Sequence, residues 1–277
     1  MRFGRFGLLV CLSFLSVSVL AQQPLSSQQA TTQPPAPQDS QAVSVLNQAL
    51  TASGGAAAIK AIADYTATGN VTYHWNPAEQ GPLTIQGLGF TDIRFDASLS
   101  SGLHSESIHD GQTSTKNANE PVRHYPPAYP VPSSDAFDYQ LPLFPSGFMV
   151  PQIPIAFVVN NPTFSISYKG IVQVNGTSAH DIQVQLVLPK QSQTDRSTEY
   201  RTIELLIDAS SYLVTMTRDT VSTHASHEVY YSSYTLVNGI MVPFSISEVI
   251  GNQNTRDIQL NKITFNLGLQ DSAFIVQ

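Results

Sequence analysis

The sequence predicts a mainly β domain, α+β in class: a curled antiparallel sheet of about eleven strands with an N-terminal helix packed on its concave face. Three observations carry this. Most of the chain after residue 64 alternates apolar and polar residues with a period of two, the mark of strands covered on one side only. Asp110-Gly111, Asn175-Gly176 and Asn238-Gly239 stand between such runs, and these pairs suit tight hairpin turns whose central residues need φ > 0. One amphipathic helical stripe precedes the first strand, and a sheet this wide curls rather than staying flat, so the stripe fills its hollow.

The first 21 of the 277 residues read as a signal peptide. Arg2 and Arg5 form a positive start, and Leu8 to Leu20 is an apolar run of signal length, too short for a stable membrane span. Val19-Leu20-Ala21 suits cleavage before Gln22. No other apolar run reaches spanning length, so the expected product is exported, periplasmic or secreted, and not membrane-spanning. Cys11 is the only cysteine and lies inside the signal. A lipid-modified cysteine follows a small residue, whereas Cys11 follows Val10. Cleavage at Ala21 leaves a mature chain without disulfide or thiolate chemistry. Loss of Arg2 and Arg5 moves the formal net charge from −7 to −9. Dispersed negative charge argues against nucleic acid and anionic membrane surfaces as partners.

Residues 22–40, rich in Gln, Pro, Ser and Thr, cannot bury enough to order themselves and read as a flexible leader. One domain then covers 41–277. Asp39 or Ser40 caps a helix whose Ala42, Val45, Leu46, Ala49 and Leu50 form a single stripe. Gly54-Gly55 ends it, and Ala56 to Ala63 reads as a second short helix with Ala58, Ile59 and Ile62 inward. The period then changes to two, with Tyr65, Ala67, Gly69, Val71, Tyr73 and Trp75 on one face. A weaker strand spans Leu83 to Phe90. Ile93, Phe95, Ala97 and Leu99 follow, and then a hairpin across Asp110-Gly111.

Residues 117–162 break the alternation. They hold ten of the 18 prolines and many aromatic residues. Proline removes ladder donors, so the segment reads as an apolar excursion packed on the domain, with one or two short helical turns. Alternation resumes with Phe164, Ile166, Tyr168, Gly170, Val172 and Val174 on one face, then Ile182, Val184, Leu186 and Leu188. Ile203, Leu205 and Ile207 and the segment Tyr212 to Val221 give two more strands. A three-strand meander over 227–265 closes the sheet, with Ile240, Val242, Phe244 and Ile246 inward. Ile258 and Leu260 have one parity, Ile263 and Phe265 the other, which predicts a bulge near Asn261-Lys262.

Several phrases resemble the periplasmic lipoprotein-carrier, or LolA-like, half-barrel superfamily, and uncharacterised secreted bacterial proteins of that type. They are Ala49 to Gly55, Ile59 to Ile62 leading into Thr66 to Gly69, Gly170 to Gly176 with Ala179 to Ile182, and Tyr230 to Phe244. The resemblance covers most of Ala42 to Phe274. It implies a half-barrel whose concave face holds acyl chains or another hydrophobic ligand, and it brings no catalytic residues. The lining expected on that face is Tyr73, Trp75, Phe95, Phe164, Ile166, Tyr168, Val184, Leu186, Ile240, Val242, Phe244 and Ile246. The prolines of 117–162 depart from the short helices with which carriers close the cavity.

Few residues of the sequence form a catalytic or metal-binding pattern. His224 and His227 are three apart, which converges on a helix but diverges on the strand expected there. No nucleophile elbow, H-E-x-x-H pair or phosphate loop occurs. Asp92 and Asp96 share a face with Arg94 between them and read as a solvated surface. The chain therefore reads as non-enzymatic, without cofactor or metal, binding a lipid or hydrophobic small molecule. The alternatives are a cell-envelope module with a protein partner, and a hydrolase built on a hidden triad.

Overall fold

The computed structural model describes residues 36–125, 145–187, 200–222 and 225–277. The signal peptide, most of the leader, the middle of the excursion, the loop after Val187 and His224 lie outside them.

Helix α1 (Ser40–Ala52) begins where Asp39 accepts hydrogen bonds from the backbone of Gln41 and Ala42, at 2.7 and 3.2 Å. Its buried residues are the predicted stripe, Ala42, Val45, Leu46, Ala49 and Leu50. Helix α2 (Ala56–Lys60) follows. Six strands then run outward as a meander: β1 (Asp64–Tyr73), β2 (Glu79–Leu88), β3 (Asp92–Leu99), β4 (Gly102–His109), β5 (Gln112–Asn117) and β6 (Arg123–Tyr125). The excursion contributes a 3-10 turn (Pro145–Phe148) and helix α3 (Gln152–Val158). Seven strands return: β7 (Phe164–Val174), β8 (Thr177–Val187), β9 (Tyr200–Asp208), β10 (Val214–Ser222), β11 (Ala225–Val237), β12 (Ile240–Ile250) and β13 (Gln253–Phe265). The sheet order is β6-β5-β4-β3-β2-β1-β13-β12-β11-β10-β9-β8-β7, so the first and last long strands pair at its centre.

The sheet is antiparallel and has thirteen strands where alternation alone gave about eleven. β6 has only three residues, too few to show a period. The end of the expected flexible leader is tied down. Ala36 N donates to Pro162 O at 2.9 Å, Ile166 N to Pro37 O at 3.1 Å and Asp39 N to Ile166 O at 2.8 Å. An edge strand offers unpaired backbone groups, and Gln38 takes them up by pairing parallel to Ile166 on β7.

Bulges re-aim the strands. The β1–β13 register passes from Thr68↔Lys262 to Gly69↔Leu260, leaving Asn261 unopposed, and Ile258, Leu260 and Ile263 all reach the same core. A second bulge corrects the expected facing of β7. Its register passes from Tyr168↔Ile182 to Gly170↔Asp181, so Lys169 is extra and the parity flips. Phe164, Ile166 and Tyr168 face the main core, but Val172 and Val174 join Ala179, Leu206 and Met216 in a small cluster on the opposite face.

The Gly54-Gly55 phrase after the α1 terminus has a contact to explain it. A Cβ on Gly54 would sit 2.2 Å from Gly239 O in the β11–β12 hairpin, where Asn238 and Gly239 both have positive φ. Met241 N donates to Ser53 O beside it at 3.1 Å. The Gly-Gly and Asn-Gly phrases are thus two sides of one junction, holding α1 to the rim of the sheet.

Candidate functional site

Over most of its length the inner face of the sheet is one apolar surface, and the helices lie on it. The α1 stripe, Ile59 of α2, and Ile153, Ile155, Ala156 and Val158 of α3 share a single cluster with the inward residues of the strands. Of the twelve expected lining residues, Tyr73, Phe95, Phe164, Ile166, Val184, Ile240, Val242 and Ile246 are buried in that cluster, and Tyr168, Leu186 and Phe244 pack against it half-buried. Trp75 is 43% exposed at the rim. The helices of this chain therefore cover the surface on which a ligand was expected.

Helix α3 was legible only as a short turn within a proline-rich stretch. It is inserted against α1 and α2. Its Gln152 is fully buried (0% exposed), and its amide oxygen has no hydrogen-bond partner among the described residues. Tyr234 Oη gives its proton to Val214 O at 2.7 Å and stands beside the Gln152 amide nitrogen as an acceptor. A buried amide left half-satisfied is costly, and here it sits in the middle of the covering segment.

One end of the inner face is ionic, which the apolar pattern did not foretell. In the ladders, Asp219 lies opposite His227 and Glu248 opposite Arg256. All four continue the inward parity of apolar neighbours such as Val229, Ile246 and Ile258. His227 Nδ1 donates to Asp219 Oδ1 at 2.7 Å and Nε2 to Glu248 Oε1 at 2.9 Å. Arg256 donates through Nη2 to Glu248 Oε1 and through Nη1 to Glu106 Oε2, each at 3.1 Å. Its Nε lies 2.7 Å from Glu248 Oε2 as an ion pair, without the alignment of a hydrogen bond. The guanidinium carbon stands 4.5 Å from the Phe95 ring and 4.7 Å from that of Phe148, the last residue of the 3-10 turn.

This wiring sets the protonation states. Burial alone would push His227 down, but the hydrogen bonds and charges of Asp219 and Glu248 outweigh it and hold the imidazolium up to about 10. Burial would raise Glu248, yet Arg256 and His227 draw it down to about 2. Tyr73 is pushed up to about 12, chiefly by burial, against the pull of the Arg256 guanidinium beside its hydroxyl.

The arrangement argues against hydrolysis at His227. Both ring nitrogens donate to carboxylates, so neither is left to take a proton from a hydroxyl. A second Ser, Asp and His grouping has the wrong order. Ser247 Oγ donates to Asp257, and Asp257 Oδ2 contacts His74 Nε2 at 2.7 Å, so the carboxylate stands between the other two. Among the described residues no group of three or more His, Cys, Asp or Glu is placed to hold a metal ion. No helix among them is long and apolar enough to cross a membrane.

The outer face over β2–β4 corrects the reading of Asp92 and Asp96 as a solvated surface. The 3-10 turn Asp271–Phe274 lies on it with Phe274 fully buried. Arg94 pairs with Asp96 and donates from Nη1 to Ala273 O and Ile275 O, both at 3.0 Å. The carboxylates belong to a covered strap.

No protein-family model matches the sequence, and none of the curated proteins does. The fold is shared with a solved structure. The LolA superfamily protein NE2245 from Nitrosomonas europaea aligns over 85% of this chain and 97% of its own, with 9% identity and a TM-score of 0.51. A DUF1329 family protein from Desulfovibrio piger aligns over 84% and 97%, with 10% identity and a TM-score of 0.49. The chain is thus a half-barrel of the LolA-like kind in fold.

Proposed function

We propose that the protein is an exported, non-enzymatic binder of a lipid or other hydrophobic ligand, which it takes up on the inner face of the half-barrel. The observation that carries this is the continuous apolar inner face, covered by short helices rather than by a second sheet. Apolar ligand sites are lined by such residues with a few polar groups among them. Helix α3 is the part best suited to yield, because it is only seven residues long and carries the half-satisfied amide of Gln152 in the core. A ligand tail would take its place in the core cluster that α3 shares with the inward residues of the strands. The LolA-like fold supports this reading, as the apolar signal of residues 1–21 supports export to the periplasm or beyond.

The test is extraction of the purified protein with organic solvent and mass spectrometry of the extract, together with titration of the emptied protein with the hydrophobic probe N-phenylnaphthylamine. Co-purified lipid and saturable probe binding, competed by that lipid, are expected. A protein that carries no lipid and binds no probe would overturn the reading. A protein partner is the second reading. It draws on the β7 edge, where Gln38 pairs at Ile166 and Ile171 is exposed, a geometry open to strand addition.

A further inference from the structure

The rim beside the ionic end carries a feature that the apolar face does not need. Trp75 and Tyr73 stack at 4.3 Å, and His104 meets both edge-on, at 5.2 Å from Trp75 and 5.4 Å from Tyr73. Glu106 lies two residues beyond His104 on the same face of β4 and bonds Arg256 through Oε2. Its side chain is more open than the other cluster members, 24% exposed against 8–11% for Asp219, His227, Glu248 and Arg256. Three carboxylates (Glu106, Asp219, Glu248) face two cations (His227, Arg256), so the network carries one negative charge in excess. Tyr73, 5% exposed, places its hydroxyl beside Arg256, in the field of Glu106 and Glu248.

We propose that this corner, formed by Trp75, His104, Tyr73 and Glu106, receives the ammonium headgroup of an amphiphile whose tail lies along the apolar inner face. The chemistry is specific. Aromatic faces attract an alkylammonium through their quadrupole, Trp most strongly. The excess carboxylate charge supplies a partly desolvated counter-ion, and the Tyr73 hydroxyl offers an acceptor for an N–H donor or a donor to an adjoining ester oxygen. An anionic headgroup meets the wrong sign here, because each cation of the network is already committed to carboxylates. The inference rests on the hydrophobic-ligand reading and adds the headgroup class and the direction of binding.

Trp75 is the only tryptophan of the chain, so its emission reports on the corner itself. The experiment titrates delipidated full-length mature protein with decylamine, decanol and decanoate below their micellar concentrations, and with tetramethylammonium chloride as a headgroup without a tail. Decylamine is expected to bind at least tenfold more tightly than decanol, with decanoate weakest, and to shift the Trp75 emission. Tetramethylammonium is expected to bind at least a hundredfold more weakly than decylamine. The variant Glu106→Gln is expected to bring decylamine down to the decanol value while decanol binding stays, which shows that the fold is kept. Should that variant not fold, added salt in the wild type is expected to compress the decylamine preference, since the corner is partly exposed. Equal affinity for the three decyl compounds would overturn the headgroup assignment and leave the hydrophobic reading standing. Tetramethylammonium binding as tight as decylamine would overturn the assignment to an amphiphile. Failure of all three decyl compounds to bind would count against the hydrophobic reading itself.

Discussion

His227 is the residue whose replacement tests the ionic end most directly. It stands between two buried carboxylates and donates to both. The variant His227→Gln keeps the approximate size and one donor but removes the charge. It leaves Asp219 and Glu248 facing each other with only Arg256 to balance them. Breaking a buried ion network by removing one partner costs about 3–5 kcal/mol, and a loss in that range is expected at pH 6 by urea denaturation. The pH dependence has a definite sign. The folded value for His227, about 10, lies above the ordinary 6.5. Its contribution is therefore complete below pH 6.5 and is lost as pH rises from 6.5 toward 10. Each unit of pH in that window removes at most about 1.4 kcal/mol, so the wild type should lose about 2 kcal/mol between pH 6.5 and 8.5. Glu248 works in the other direction. Its value, held at about 2 against the usual 4.5, gives stability that is present above pH 4.5 and lost below it. The network is thus strongest between pH 4.5 and 6.5. In His227→Gln the alkaline decline should vanish and the acid decline should shrink. A wild-type stability that is flat from pH 6.5 to 8.5, or an alkaline decline of the same slope in the variant, would refute the assignment of a charged, doubly hydrogen-bonded imidazole.

Two further outcomes follow from burial. Gln152→Met replaces a fully buried, half-satisfied amide by an apolar side chain of similar length. It should stabilise the protein by about 1–2 kcal/mol in thermal or urea melts, and it should slow probe uptake if α3 yields to ligand. Phe274→Ala removes the fully buried anchor of the C-terminal strap. A loss of about 3–5 kcal/mol is expected in the same melts, and a loss under about 1 kcal/mol would mean that the strap is not held by this ring.

The architecture was legible because its signals are local. Asp39 as a cap, the α1 stripe, the Asn-Gly turns and the Asn261 bulge each occupy a few adjacent residues. The parity change between Leu260 and Ile263 even located an unopposed residue. The β7 bulge had a signal of its own, Gly170 inside a strand with positive φ, but the run Val172, Val174 kept the same alternation and concealed the flip. The ionic end was hidden for a different reason. Glu248 is eight residues from Arg256, twenty-one from His227 and far from Glu106, and only the strand register places them together. What the sequence did display was each charge at an inward position. Glu248 follows Ile246, Arg256 precedes Ile258 and His227 precedes Val229, all at intervals of two. Charges that keep the parity of a core are a readable sign of a buried network, whereas reading His227 as half of a pair with His224 looked along the strand instead of across it. Helix α3 escaped because proline content argued only against sheet and was silent on insertion into the core.

The inner face has one further consequence for selectivity. Displacing α3 would uncover Ile153, Ile155 and Val158, all buried. Full burial of such side chains is worth about 1.5–3 kcal/mol each, or about 5–9 kcal/mol for the three. A ligand tail of about ten methylenes burying itself in their place recovers about 8 kcal/mol at about 0.8 per methylene. Tail and helix are then nearly interchangeable as cover, and their exchange contributes little net affinity. The same balance means that an apolar tail alone gives weak discrimination between ligands, since one hydrocarbon chain covers the face much like another. Selection falls to the polar positions, and the inner face has them at two depths. Gln152 leaves with α3, which frees its half-satisfied amide to bond water and lowers the cost of opening. Glu106, Tyr73, His104 and Trp75 stay with the sheet strands and their rim, where a headgroup must pass or lodge. A helix that trades evenly with a tail, beside a charged corner that does not move, separates the holding of a ligand from the choosing of it.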